Sequence, residues 1–169
     1  MIALPLLLTI FSLFLPASSL SFQNEPDGFR GIPWGTDTSA VTGMVYDSQH
    51  TWEAGTTFFF KRKGDELRMG KAILTSIRYG FWEGKLSDVL IETKGRKNWF
   101  AFKAACYEKF GRGFKANFYQ ERYTWSGEKA SMVLEYVEKS DIATLLIKSE
   151  EIYNQIRSKL REKAKERLP

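Results

Sequence analysis

Residues 72–93, AILTSIRYGFWEGKLSDVLIET, decide the fold class of this chain. Every second side chain from Ile73 to Phe81 points to one face, and those between them point to the other, as in a β-strand. The dipeptide Glu83-Gly84 makes a tight turn into a second strand. The stretch therefore predicts an antiparallel hairpin with strands over residues 72–82 and 85–93.

Four further segments are typical of strands, because they are rich in aromatic and β-branched residues and are bounded by turn residues. The last three are joined by short turns only, so they should pair antiparallel as a meander. With the hairpin they predict an antiparallel sheet of about five to six strands. The segments are residues 56–63, 118–125, 129–137 and 142–148.

A central aromatic helix is predicted over residues 98–110, where four apolar side chains recur at helical spacing. Gly111 can end this helix in a left-handed conformation. We expect the four side chains to pack against the sheet, and we expect the thiol among them to be buried and inert. They are Trp99, Phe102, Cys106 and Phe110.

Two other helices are predicted. Ser149 is a suitable N-cap for a C-terminal helix, because Glu150 and Glu151 would then lie at its positive end. A short helix over residues 37–44 would begin after Thr36. Helices and an antiparallel sheet together predict the α+β fold class.

The amino terminus predicts export. The first charged residue is Glu25, and the apolar run of residues 2–15 is followed by the small residues of 16–19. This pattern is typical of a signal peptide, with cleavage before Leu20 or Phe22. An uncleaved membrane anchor is the alternative, although Pro5 and Pro16 shorten the helical run that a span would need.

We therefore divide the chain into four parts. Residues 1–21 are the predicted signal peptide, and residues 22–33, rich in Gly and Pro, are an extended lead-in. Residues 34–160 are a single α+β domain of ordinary size. Residues 161–169 are a charged tail that can be helical but has little to bury.

The composition excludes several kinds of mechanism. With one cysteine there is no disulfide framework. With one histidine, no zinc site of the common multi-histidine kind can be built, and a Ser-His-Asp triad would have to use His50. We interpret His50 as a surface residue in a polar turn. No catalytic residue, metal or cofactor is predicted.

Paired carboxylates are the remaining catalytic candidates. Asp88 and Glu92 lie on one face of a predicted strand, but residues four apart on a strand are separated by about 13 Å. Glycosidase pairs are about 5–9.5 Å apart. A pair assembled from distant strands stays open as an alternative.

Basic residues are unevenly distributed in this chain, whose net charge is +5. They concentrate in two stretches, residues 61–71 and 94–115, and aromatic residues lie among them. Such a surface can hold single-stranded nucleic acid, but the predicted export argues against that partner. We predict instead a patch for an anionic envelope component or a protein partner. Its residues are Lys61, Arg62, Lys63, Lys94, Arg96 and Lys97.

Residues 28–36, GFRGIPWGT, resemble the start of the mature region in small exported proteobacterial proteins of uncharacterised function. The order of a Tyr-Gly-Phe hairpin at 79–81, a lysine-rich helix and Tyr-Thr-Trp at 123–125 is also similar to that group. The resemblance implies export and one α+β domain. It implies no catalytic residues.

The sequence thus favours a periplasmic or secreted, non-enzymatic binding or accessory protein of the bacterial envelope, with no stable membrane span once the signal peptide is cleaved. A periplasmic enzyme inhibitor or immunity-type protein is one alternative. A hydrolase that uses carboxylates from separated strands is another. An aromatic-lined pocket would favour binding of a small apolar molecule.

Overall fold

The computed structural model describes residues 22–167. The predicted signal peptide, residues 1–21, lies outside the described residues, as do the last two residues of the charged tail. Between Phe22 and Arg167, no helix is both long enough and apolar enough to span a bilayer.

The described residues form strands and two α-helices, with a 3-10 turn at Thr38–Ala40. The helices are α1 (Arg96–Phe110) and α2 (Glu150–Glu166). The strands are β1 (Gly28–Phe29), β2 (Ile32–Pro33), β3 (Met44–Trp52), β4 (Gly55–Arg62), β5 (Arg68–Met69), β6 (Ala72–Ile73), β7 (Ser76–Trp82), β8 (Lys85–Lys94), β9 (Arg122–Ser126), β10 (Ala130–Val137) and β11 (Ile142–Ser149).

Seven strands make one antiparallel sheet in the order β3-β4-β7-β8-β11-β10-β9. It consists of two meanders that meet at its centre, where β8 pairs with β11 from Lys94↔Ile142 to Asp88↔Lys148. Helix α1 connects the two meanders, and α2 follows the second. The predicted α+β class is confirmed, with one strand more than the upper expectation.

Helix α1 covers one face of the sheet, which we call the sealed face. The four helix residues predicted to be buried are each at most 2 % exposed, which confirms that prediction. They pack against alternate residues of the central strands, and aromatic rings extend this core to the sheet edge. The strand residues include Ile77, Tyr79, Phe81, Val89, Ile91, Met132, Leu134, Leu145 and Ile147.

Helix α2 lies over the opposite face, which we call the open face. Consecutive residues Phe81 and Trp82 belong to separate apolar clusters, because strand side chains alternate between faces. Trp82 packs with Ala54 and with Ile152 and Ile156 of α2. This contact lies at the sheet end that carries the β3–β4 and β7–β8 turns.

The predicted tail belongs to α2, which continues to Glu166. Lys163 donates a hydrogen bond of 2.6 Å to the carbonyl of Glu53, and Arg167 lies 2.7 Å from the Glu53 carboxylate. Lys159 is paired with Glu83. The charged segment is therefore helical and bound to the β3–β4 turn through its cations.

The predicted helix over residues 37–44 was wrong. Asp37 caps only a 3-10 turn, its carboxylate accepting the Ser39 N–H at 2.9 Å. Strand β3 then follows, in place of the polar turn that the sequence predicts around His50. Polar side chains are tolerated in an edge strand, because it has a neighbouring strand on one side only and its side chains are largely in contact with water. Apolar and polar residues therefore alternate only weakly along such a strand, and the sequence pattern does not reveal it.

Three boundaries also differ from expectation. The strand predicted over residues 72–82 is divided into β6 and β7, because Leu74 N–H bonds to Leu67 O and ties this part of the chain to the β5–β6 hairpin. Residues 118–121 form a turn before β9 rather than its first half. The lead-in of residues 22–33 contains the β1–β2 hairpin.

Candidate functional site

A groove of about 290 Å³ lies between the open face and α2. Its walls are mainly apolar and aromatic, and its polar groups are few. Grooves of this kind are the usual sites for small ligands. The lining residues are His50, Trp52, Thr57, Phe59, Ser87, Asp88, Leu90, Leu146, Lys148, Tyr153 and Ile156.

The groove follows from strand alternation and from the start of α2. Leu90 and Leu146 are cross-strand partners. Their neighbours along each strand point into the core of the sealed face, so both leucines point to the open face, where they stay partly exposed. The side chain of Ser149 accepts the Ile152 N–H at 3.3 Å, which caps α2 directly after β11. The helix therefore crosses above these leucines and places Tyr153 beside them.

A carboxyl group lies in this apolar setting. The β7–β8 register shifts between Gly80 and Phe81, and the Ser87 hydroxyl in this bulge lies 2.8 Å from an Asp88 carboxylate oxygen. A Cβ on Gly80 would lie 2.5 Å from Oδ1 of Asp88. The glycine thus leaves the space that the carboxyl group occupies.

Burial raises the pKa of Asp88 above its usual value, because removing water disfavours the charged form. The hydrogen bond from Ser87 and the positive charge of Lys148 act in the opposite direction but do not cancel the effect. Lys148 is the cross-strand partner of Asp88, yet no N–O distance within 4.0 Å joins them among the described residues. Its ammonium group lies 4.4 Å from the ring centre of Tyr153.

The outer wall of the groove comes from β3. His50 is exposed, as expected of a surface residue, but it lies on a strand and its ring is 5.9 Å from that of Trp52. The Trp52 indole N–H is inaccessible and has no hydrogen-bond partner within residues 22–167. The site therefore presents a carboxyl group, an ammonium group and aromatic walls, which can bind an apolar molecule that carries a polar group.

The predicted basic patch lies elsewhere, at the opposite end of the sheet from the α2 contact. Lys61 and Arg62 end β4, Lys63 follows it, and Lys94 ends β8. The registers of β4–β7 and β7–β8 place the ends of β4 and β8 beside the start of β7, at the same end of the sheet. Arg96 and Lys97 begin α1 at the same end.

Two of the six patch residues are already paired. Lys61 lies 2.5 Å from Asp47, whose pKa it lowers, and Arg96 lies 3.0 Å from Glu138. The other four make no ion pair with any residue from Phe22 to Arg167. The binding role of the patch stays a prediction.

Two carboxylates outside the groove, those of Glu92 and Glu121, are held by neighbouring side chains. Glu92 accepts hydrogen bonds of 2.8 Å from Ser76 and from Arg78. Burial alone would raise the pKa of Glu121, but hydrogen bonds from Tyr123, Lys115 and Lys103 outweigh it and lower the pKa. Residues 22–167 contain no group of three or more His, Cys, Asp or Glu side chains placed to hold a metal ion.

Cys106 is buried in the core of the sealed face, and burial raises its pKa. This environment fits the inert thiol that the sequence predicted.

Comparisons of the chain with models of protein families, with curated proteins and with solved structures find no match. Sequence reasoning missed the groove, although Asp88 carried a signal: it is a carboxylate directly before the apolar residues 89–91, on a strand that is paired on both sides. In the sequence, Asp88 stands out only as half of a candidate carboxylate pair.

Proposed function

We propose that this chain is an exported, non-enzymatic binding protein of the bacterial envelope whose groove holds a small, mainly apolar ligand. The ligand's polar group would lie between Asp88 and Lys148. Export rests on the apolar amino terminus and its small-residue boundary. The binding role rests on the groove.

One observation carries the proposal: oppositely charged cross-strand partners face an apolar groove without pairing with each other. A carboxyl group beside apolar walls loses part of its hydration, and the Ser87 hydroxyl is the one group within residues 22–167 that donates a hydrogen bond to it. A ligand with a polar group at this point would satisfy the remaining oxygen and the Lys148 ammonium. Its apolar part would cover Leu90 and Leu146.

The surroundings favour binding over catalysis. Asp88 has no second carboxylate lining the groove, and the histidine of the groove stands at its rim, on the outermost strand. Acid–base chemistry needs a partner within hydrogen-bond reach of the reacting group. The volume is close to the lower end of the range for small-molecule pockets.

A fluorescent-probe binding assay tests whether the groove takes up an apolar ligand. The fluorescence of N-phenyl-1-naphthylamine rises when the probe enters an apolar site, so the exported protein should bind the probe saturably. Leu146→Trp should weaken that binding about tenfold or more, because the larger ring fills the groove. Thr124→Trp is the matched control. Thr124 lies on β9 and, like Leu146, is on the open face of the sheet, but it does not line the groove.

Equal probe affinity in both tryptophan variants and the wild type would overturn the proposal. Native mass spectrometry of protein purified after export supplies the ligand itself. A bound mass present in the wild type and absent from Leu146→Trp would define the ligand's size.

A further inference from the structure

The segment between α1 and β9 carries two adjacent aromatic side chains that cover nothing. Phe118 is 86 % exposed and Tyr119 is 99 % exposed. A single exposed apolar residue is ordinary, but neighbouring large ones mark an interaction site. Phe100 of α1, 52 % exposed, lines the same open cleft as Tyr119 and enlarges this surface.

The segment is held in place at its base and at its tip. Phe114 exchanges two backbone hydrogen bonds with Thr124, of 2.8 and 2.9 Å. At the tip, the Asn117 side chain accepts the Tyr119 N–H at 2.9 Å, which fixes a turn. The aromatic pair is therefore presented by a built turn, which we call the aromatic tip (residues 117–120).

The aromatic tip lies at the basic end of the sheet. Arg122 follows the tip and pairs with Glu135 in β10, two residues before Val137. Val137 pairs with Ile142, which in turn pairs with Lys94. The start of β9, the end of β8, the end of β4 and the start of α1 are thus at one end of the molecule.

This end carries patch cations that no acid among the described residues neutralises, whereas several of its acidic groups are already paired or hydrogen-bonded. Among the six patch residues, those that make no ion pair in the described part of the chain are Arg62, Lys63, Lys94 and Lys97. The engaged acids are Asp47 with Lys61, Asp65 with Tyr79 and Arg30, Glu121 with Lys103 and Lys115, and Glu138 with Arg96.

We propose that this end of the sheet docks on an anionic phospholipid surface, with Phe118 and Tyr119 inserted at headgroup depth. From β4 to β9 the basic and aromatic residues span five inter-strand spacings, about 24 Å. A bilayer surface can contact all of them at once. Aromatic rings are favoured at the membrane interface, and each nearby Lys or Arg adds attraction to anionic lipid.

A bilayer fits better than a protein partner. Protein hot spots usually fill a pocket and are surrounded by contacts that exclude water. The aromatic tip instead projects from a turn, with four unpaired cations distributed behind it. This docking surface uses residues outside the ligand groove, so it stands or fails independently of the proposed function.

Co-sedimentation with vesicles tests the proposal, using the exported protein with the same amino terminus in every variant. Vesicles of phosphatidylethanolamine with about one-third phosphatidylglycerol should bind the wild type, and binding should fall as salt rises. Phe118→Ser with Tyr119→Ser should reduce the partition coefficient about tenfold or more. Arg62→Ser with Lys97→Ser should reduce it about fivefold for each charge removed.

Phe58→Ser is the matched control, because this aromatic side chain is 40 % exposed but pairs with Phe81, near the opposite end of the sheet. It should leave binding unchanged. Insertion depth is tested with Tyr119→Trp, because brominated acyl chains should quench the fluorescence of the new tryptophan. The fluorescence added by Phe58→Trp, near the opposite end of the sheet, should not be quenched.

A wild type that does not sediment with these vesicles overturns the proposal, and so does a Phe118→Ser, Tyr119→Ser variant that sediments like the wild type. Capture of a protein by the tip without vesicle binding would assign the surface to a protein partner instead. Unchanged thermal unfolding in each variant confirms that folding is not the cause.

Discussion

The two faces of the sheet are built from alternate residues of the same strands, but their surroundings differ. On the sealed face, α1 buries four side chains against residues of the central strands. On the open face, α2 buries only Ile152 and Ile156, at one end of the sheet. Much of the rest of that face stays partly exposed, and the groove lies at the boundary between this exposed part and the part that α2 covers.

This difference separates stability from binding. The sealed face contributes the larger apolar area removed from water, which is the main favourable term in folding. The open face retains a carboxyl group, an ammonium group and accessible apolar walls, which cost stability but can be covered by a ligand. Changes on the two faces should therefore have different consequences.

The largest expected effect is on the sealed face. Phe102→Ala should lower the free energy of unfolding by about 3–5 kcal/mol, because it removes a fully buried ring and leaves a cavity. Arg161→Ala, in the exposed part of α2, should change it by less than about 0.5 kcal/mol. Urea denaturation of both variants measures the contrast. Similar losses would mean that the sealed face is not the stabilising one.

A smaller effect is expected where the open face is tightly packed. Gly80→Ala should cost about 1–3 kcal/mol, since its new methyl group collides with the Asp88 carboxylate. In an Asp88→Ala background the same change should cost much less, because the obstructing atoms are gone. A double-mutant cycle by denaturation gives the coupling. Additive losses would show that Asp88 does not occupy the space above Gly80.

The covering helix supplies the third test. Ser149→Ala removes the N-cap of α2 and should cost about 1 kcal/mol. Because α2 forms one wall of the groove, probe binding should weaken as well. Asp37→Ala is a useful control, since Asp37 caps a 3-10 turn outside the groove. Loss of stability with unchanged probe binding would mean that the groove does not depend on the first turn of α2.

The smallest expected effect depends on pH. The pKa of Asp88 is raised in the folded protein, so between the unfolded and folded pKa values the folded state binds more protons than the unfolded state. Wild-type stability should therefore fall as pH rises through that interval, starting near about pH 4.

Asp88→Asn cannot titrate and should lose this fall, so its stability relative to the wild type should increase with pH. Denaturation series between about pH 4 and pH 7 measure the difference. A relative stability that is constant across this range would contradict the raised pKa.

Much of the fold could be predicted from local patterns. The spacing of Trp99, Phe102, Cys106 and Phe110 identified α1 and its buried side, and Ser149 identified the start of α2. Strand β3 could not be identified in this way, because an edge strand that is exposed on most of its length has no regular apolar period. The aromatic tip shows the opposite error, because it falls within a predicted strand but forms a turn. Phe118 and Tyr119 are aromatic, as strand residues often are, but their side chains are exposed and do not pack against the domain.

The sequence by itself determined the α+β class, the hairpin around Glu83-Gly84, the C-terminal meander and which side chains share a face. Only the tertiary structure decided which strands are neighbours and which helix covers which face. Asp88 and Lys148 are far apart in the chain and meet because β8 pairs with β11. Periodicity specifies the direction of a side chain but not its partner, since strand pairing and helix docking are set by burial over the whole domain.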